Sequence, residues 1–352
     1  MRHPLVLSLL YGGASTFLGA CGAGTPPEGT SPSTTTTEPA TSSTSRGRYE
    51  VHEWGLVDVG RDGVAELAAG PGQANLARPP QPAPGGGTTV RPHPPAATRK
   101  PVLYFHLLEG EVQVSVGATM TYGSMLERFP PTPMADANVQ WPQVQLVGRA
   151  CGATTYPTAG SPGCAGISDD YCEAAELALY EARDASCLVV GGNDYNHLFY
   201  RGGGRGLSLP ITVGPSPGGA VLTNRSTYAI PYALLVERGD AAMARDQRRA
   251  APAVNVRRFG RVPAGTQAEV RESIPVESAV SAVRAELGLL GLTSGETQAF
   301  MNAWEEAVFR SPNVARAVVY LLPPELVDAV STLALSPPPE TTRRAMMVRV
   351  EF

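Results

Sequence analysis

From Tyr49 onward the chain is written in short apolar runs. Residues 49–59 alternate apolar and polar positions and close at Gly60, the period-two pattern of a strand with one buried face. Residues 101–108 and 111–116 repeat the pattern on either side of Glu109-Gly110, which predicts a β-hairpin. Further strands are expected at 143–147, 187–190, 197–201, 207–213, 220–223 and 227–237. The last quarter of the chain changes period. Pro275 suits the start of a helix, after which Val276, Val280, Val283, Leu287 and Leu290 recur every three or four residues. A second helix is expected from Thr293, whose spacing to Glu296 matches a capping box, with Phe300, Met301, Trp304 and Val308 as its apolar stripe. Residues 314–322 read as a strand, 324–333 as a short helix, and 344–352 as a closing strand that rejoins the main sheet. The fold class is α+β: a β-rich, sandwich-like or barrel-like body over 48–270, with a C-terminal helical and strand segment, 271–352, packing on it.

Three stretches interrupt this texture. Residues 70–99 are rich in Pro and Gly and predict a mobile excursion between strands. Residues 1–20 combine a basic start, a short apolar run and small residues, too short and too glycine-rich to span a bilayer, so they read as a signal peptide. They end in Leu18-Gly19-Ala20-Cys21, which resembles the bacterial lipobox, in which the cysteine is lipidated and becomes the new first residue. Residues 21–47 are mostly Ser, Thr, Pro and Gly and cannot bury enough apolar surface to offset their ordering entropy, so they are expected to act as a tether. Gly22 after the cysteine, in place of Asp, resembles lipoproteins sent to the outer membrane, facing the periplasm or the cell surface.

An exported chain allows disulfides. Besides Cys21 there are four cysteines, Cys151, Cys164, Cys172 and Cys187, in a Cys-rich insertion over 149–190. Four cysteines allow three connectivities. The favoured one joins Cys151 to Cys164 and Cys172 to Cys187, stapling a helix expected over 173–184 at both ends. A zinc site is the alternative, although no Cys-x-x-Cys spacing is present.

Charge narrows the partners. The net charge of -4 supplies no basic field for nucleic acid. Lys100 is the only lysine, and without a Gly-Lys-Ser/Thr sequence there is no P-loop. No Gly-x-Ser-x-Gly elbow and no His-Glu-x-x-His helix is present either. No cofactor is called for. The candidate binding residues are His52, Glu53 and Trp54 on the first strand, His106, His197, and the two arginines of Arg201-Gly-Gly-Gly-Arg205-Gly206, a loop with the composition of an anion cradle. Regular alternation points His52 and Glu53 to opposite faces of their strand. His52, His106 and His197 together would make a metal site only if three strands brought them to one place.

As a set, His52-Glu53-Trp54-Gly55, Pro101-Val102-Leu103-Tyr104-Phe105, Phe199-Tyr200-Arg201-Gly202, Val318-Val319-Tyr320-Leu321-Leu322-Pro323 and Val348-Arg349-Val350-Glu351 resemble an uncharacterised family of exported bacterial proteins with a His-Glu-Trp-Gly motif. Leu56 stands where that resemblance leads one to expect Thr. The resemblance assigns no activity. Two functional readings follow: a membrane-anchored, non-enzymatic protein binding an envelope glycan or protein, and a metal-dependent hydrolase using His52, His106 and His197.

Overall fold

The computed structural model describes residues 47–60, 65–68, 101–156, 177–239, 254–312 and 314–352. The segments expected to form a signal peptide and nearly all of the expected tether, with Cys21, lie outside the described residues, as do the 70–99 stretch, Cys164 and Cys172.

A ten-stranded sheet forms the centre: β1 (Arg48–Val59), β2 (Ala65–Ala68), β3 (Val102–Glu109), β5 (Ser124–Phe129), β10 (Leu198–Gly204), β13 (Ile230–Arg238), β14 (Val254–Val262), β16 (Ser273–Ile274), β17 (Arg316–Leu321) and β19 (Thr341–Glu351). A six-stranded sheet covers one face: β4 (Val112–Met120), β6 (Met134–Ala135), β7 (Asn138–Val147), β8 (Cys187–Val190), β9 (Asn193–Tyr195) and β18 (Ser331–Ser336). The remaining sheet is β11 (Ile211–Ser216), β12 (Gly219–Asn224) and β15 (Gln267–Glu269). Two helices, α1 (Val276–Leu289) and α2 (Ser294–Trp304), cover the other face of the central sheet. This is the expected α+β, β-rich sandwich body with a C-terminal helical segment and a closing strand.

Alternation along β1 assigns its side chains to the two layers. Tyr49, Val51 and Val57 join Val114, Trp141 and Leu146 of the six-stranded sheet in one core. Trp54 and Leu56 join Phe300 and Trp304 of the helical layer in the other. Because both faces are covered, the polar positions of the alternation are buried as well: His52, Glu53 and Asp58 are each no more than 4% exposed.

The closing strand does more than pack on the body. β19 lies between β1 and β17 and runs parallel to β1, so the first and last strands are neighbours at the middle of the sheet. Its register places Arg344 opposite Glu53 and Arg349 opposite Asp58. Both pairs form buried ion pairs, and Arg349 grips Asp58 with Nε and Nη2.

Three expectations are corrected. β3 and β4 are no hairpin, since they belong to different sheets. Gly110 has φ +66° and turns the chain from one layer into the other. The favoured cysteine pairing is also wrong, because Cys151 is bonded to Cys187. β7 and β8 pair antiparallel with Val147 opposite Cys187, which brings Cys151, just beyond the end of β7, back beside the start of β8. Finally, residues 324–333 split into a 3-10 turn, Pro324–Ala329, and strand β18.

The Arg349–Asp58 pair yields a stability prediction. Removing one partner of a buried ion pair strands the other charge and costs about 3–5 kcal/mol, whereas apolar replacement of both is close to neutral. Urea unfolding of Arg349→Met is therefore expected to show a loss of that size, with most of it recovered in Asp58→Leu/Arg349→Met. Equal losses in the single and double variants would contradict this account.

Candidate functional site

β1 and β3 pair antiparallel with Glu50 opposite His106 and His52 opposite Tyr104. His52 and His106 are thus diagonal neighbours on the helix-facing side, within reach of one another. Their ring centroids are 4.4 Å apart. The third member comes from α2. Thr293 caps this helix, accepting from the Glu296 N–H at 3.1 Å, while the Glu296 carboxylate accepts from the Thr293 N–H at 2.8 Å. The same carboxylate meets both imidazoles: His52 Nδ1 lies 2.9 Å from Oε2 and His106 Nε2 lies 2.8 Å from Oε1. Glu296 is fully buried, His52 is buried, and the His106 side chain keeps 15% of its surface exposed.

The electrostatics follow from this contact. Burial alone would raise the pKa of Glu296, but hydrogen bonds from His106 and His52 overcome it and hold the carboxyl at about 2. Burial alone would lower that of His106, and its hydrogen bond to Glu296 turns the shift upward. Two nitrogens and a carboxylate oxygen, all within 4.8 Å of one another, are a donor set that could hold a metal ion. A second group, Cys151, Cys187 and Asp194, has the spacing but not the chemistry. Its two sulfurs are spent on the disulfide, and Asp194 is bound to Arg149 and the Gly152 N–H.

No protein-family model and no curated protein matches this sequence.

The other predicted residues go elsewhere. His197 belongs to an aromatic cluster, with the rings of Tyr104, Phe129, Tyr156, Tyr180 and Phe199 all within 6.5 Å, so the three-histidine site does not form. Trp54 is fully buried against Tyr104, Tyr180 and Phe300. Glu53 faces the opposite layer from His52, where it accepts from Tyr200 Oη at 2.6 Å and pairs with Arg344. Arg344 also binds Asp328 and Ser331 at the edge of a surface depression of about 300 Å³, so its charge is already matched by two carboxylates.

The anion-cradle reading of residues 201–206 is corrected too. Arg201, Gly202 and Gly203 lie within β10, and Arg201 is buried 3.4 Å from Glu127. The glycines serve close packing. A Cβ on Gly202 would come within 2.5 Å of Met120, and one on Gly123 (φ +61°) within 2.0 Å of the Gly203 carbonyl. Arg205 and Gly206 are exposed, beyond the strand end.

Sequence reasoning missed Glu296 as a site residue because the capping box accounted for it. A readable signal existed: Glu296 continues the line of Phe300 and Trp304, which places a carboxylate on the apolar, inward stripe of α2.

The contact makes stability depend on pH in protein freed of divalent ions by chelation. The depressed Glu296 pKa contributes stability that is present above its ordinary 4.5 and is lost as pH falls toward 2. The raised His106 pKa contributes stability that is present below its ordinary 6.5 and is lost as pH rises through the folded value. Urea midpoints are therefore expected to peak between these two ordinary values. Glu296→Gln, which preserves the cap, is expected to flatten both limbs and to cost about 3 kcal/mol at the peak. An unchanged pH profile in that variant would refute the assignment.

Proposed function

We propose that this protein is an exported bacterial lipoprotein, anchored in the outer membrane through acylated Cys21, whose folded body binds an envelope component and is not an enzyme. The observation that carries the reading is the Cys151–Cys187 disulfide, which belongs in an oxidising compartment. It agrees with the signal-like residues 1–20, the lipobox-like Leu18-Gly19-Ala20-Cys21 and the low-complexity tether that follows. The resemblance to exported proteins with a His-Glu-Trp-Gly motif supports the same address. Among the described residues no helix is long and apolar enough to cross a membrane, and on this reading the acyl chains provide the attachment.

The binding partner we favour is an envelope glycan or protein. Trp54, His197 and Arg201 are buried and serve the fold, so the contact surface on this reading lies outside those residues. The alternative, a metal-dependent hydrolase on three histidines, loses its third ligand with His197.

Fatty-acid labelling and fractionation of the producing cells test the address. Wild-type protein is expected to carry label and sediment with the outer membrane, while Cys21→Ser loses the label. Peptide mapping without reduction is expected to yield Cys151 linked to Cys187. Unlabelled wild-type protein with reduced thiols in the cytoplasmic fraction would overturn the proposal. Selective retention of the labelled protein on peptidoglycan or envelope polysaccharide would then identify the partner class.

A further inference from the structure

The polar groups around His52 and His106 ask for more positive charge than two neutral imidazoles carry. A neutral imidazole has one N–H. Here three acceptor positions face the two rings. Glu296 takes His52 Nδ1 and His106 Nε2. His52 Nε2 lies 3.7 Å from the Glu50 carboxylate and has no hydrogen-bond partner among the described residues, although His52 is only 4% exposed. Two N–H groups cannot serve three acceptors. If His52 donates to Glu296, its buried Nε2 lone pair faces an anion. One added proton or one divalent cation would fill the deficit.

We propose that His52 Nδ1, His106 Nε2 and the Glu296 carboxylate bind one divalent transition-metal ion of the zinc class, with an open coordination position on the partly exposed His106 side. The ion takes the two lone pairs and the carboxylate, and each imidazole turns its remaining N–H away from the ion, that of His52 toward Glu50. Ligating histidines that donate their second N–H to a carboxylate or a backbone carbonyl are the usual outer shell of such sites. Nitrogen and oxygen donors suit zinc and its first-row neighbours, and three protein ligands leave the fourth place to solvent. Bonds of about 2.0–2.2 Å set ligand atoms about 3.3 Å apart, so the two N···O spacings of 2.8–2.9 Å need to open by a few tenths of an ångström, with the two nitrogens, within 4.8 Å of one another, adjusting around the ion. The site requires neither the lipid anchor nor His197.

Cobalt provides a direct test, because Co²⁺ in a low-coordinate nitrogen and oxygen site absorbs visibly. Full-length protein in detergent, chelator-treated and then titrated with Co²⁺, is expected to develop d–d bands that saturate at a single equivalent and vanish on adding Zn²⁺. His106→Ala, at the partly exposed ligand, is expected to abolish the bands while circular dichroism shows a folded chain. Asp194→Ala, in the disulfide-bound group, is expected to retain them. Wild-type protein without bands, or bands that survive in folded His106→Ala, would overturn the proposal.

Discussion

Parallel pairing of the first and last strands organises the whole body. β1 and β19 enter from opposite ends of the chain and meet at the centre of the large sheet, where their register sets two carboxylates against two arginines. Glu53–Arg344 and Asp58–Arg349 are five residues apart on each strand, an odd spacing, so one pair faces the six-stranded sheet and the other the helices. A shift of one residue would move every side chain of β1 to the wrong layer and leave four buried charges without partners. The register is thereby specified from both faces. This is a constraint on which structure forms, and it adds less to net stability than the count of ion pairs suggests, because each charge is desolvated first.

The same alternation explains how a tripeptide of polar and aromatic residues feeds three different systems. Glu53 turns toward Tyr200 and Arg344. His52 and Trp54 turn toward the helices, but they stand two positions apart along the strand: Trp54 meets the aromatic side of α2 at Phe300, and His52 meets its capped end at Glu296. Adjacent letters in the sequence are therefore remote in chemistry, while His52 and Glu296, 244 residues apart, share hydrogen bonds.

What was legible in the sequence tracks whether the physics is local. The capping box at Thr293 and the spacing of Val276, Val280, Val283 and Leu287 depend on neighbours within two turns, and both stand in the structure. β8 and β12 were readable because their apolar runs end at turn residues. β14 was not, since its buried positions Val256, Phe259 and Val262 recur every third residue instead of every second, across a strand whose pairing with β13 shifts register twice. Pairing partners were the least legible of all. Glu109-Gly110 has the local chemistry of a hairpin turn, and only the packing of two sheets decides that it joins layers instead. The cysteines failed for the same reason: Cys151 and Cys187 are brought together by the β7–β8 ladder and not by a helix between them.

Glu296 shows what a doubly used residue implies. As the N3 member of the capping box it sits at the positive end of α2, where the helix dipole, worth about half a charge, favours the anion. The dipole thus strengthens the carboxylate and at the same time opposes any cation placed beside it. For the proposed ion the second effect is outweighed, since the Glu296 and Glu50 carboxylates both face the imidazoles. The cap also fixes where the carboxylate points before any ligand arrives, because one oxygen is held by the Thr293 N–H. Local helix chemistry thereby positions a group whose partners come from the far end of the chain, and the two layers are locked in register around it.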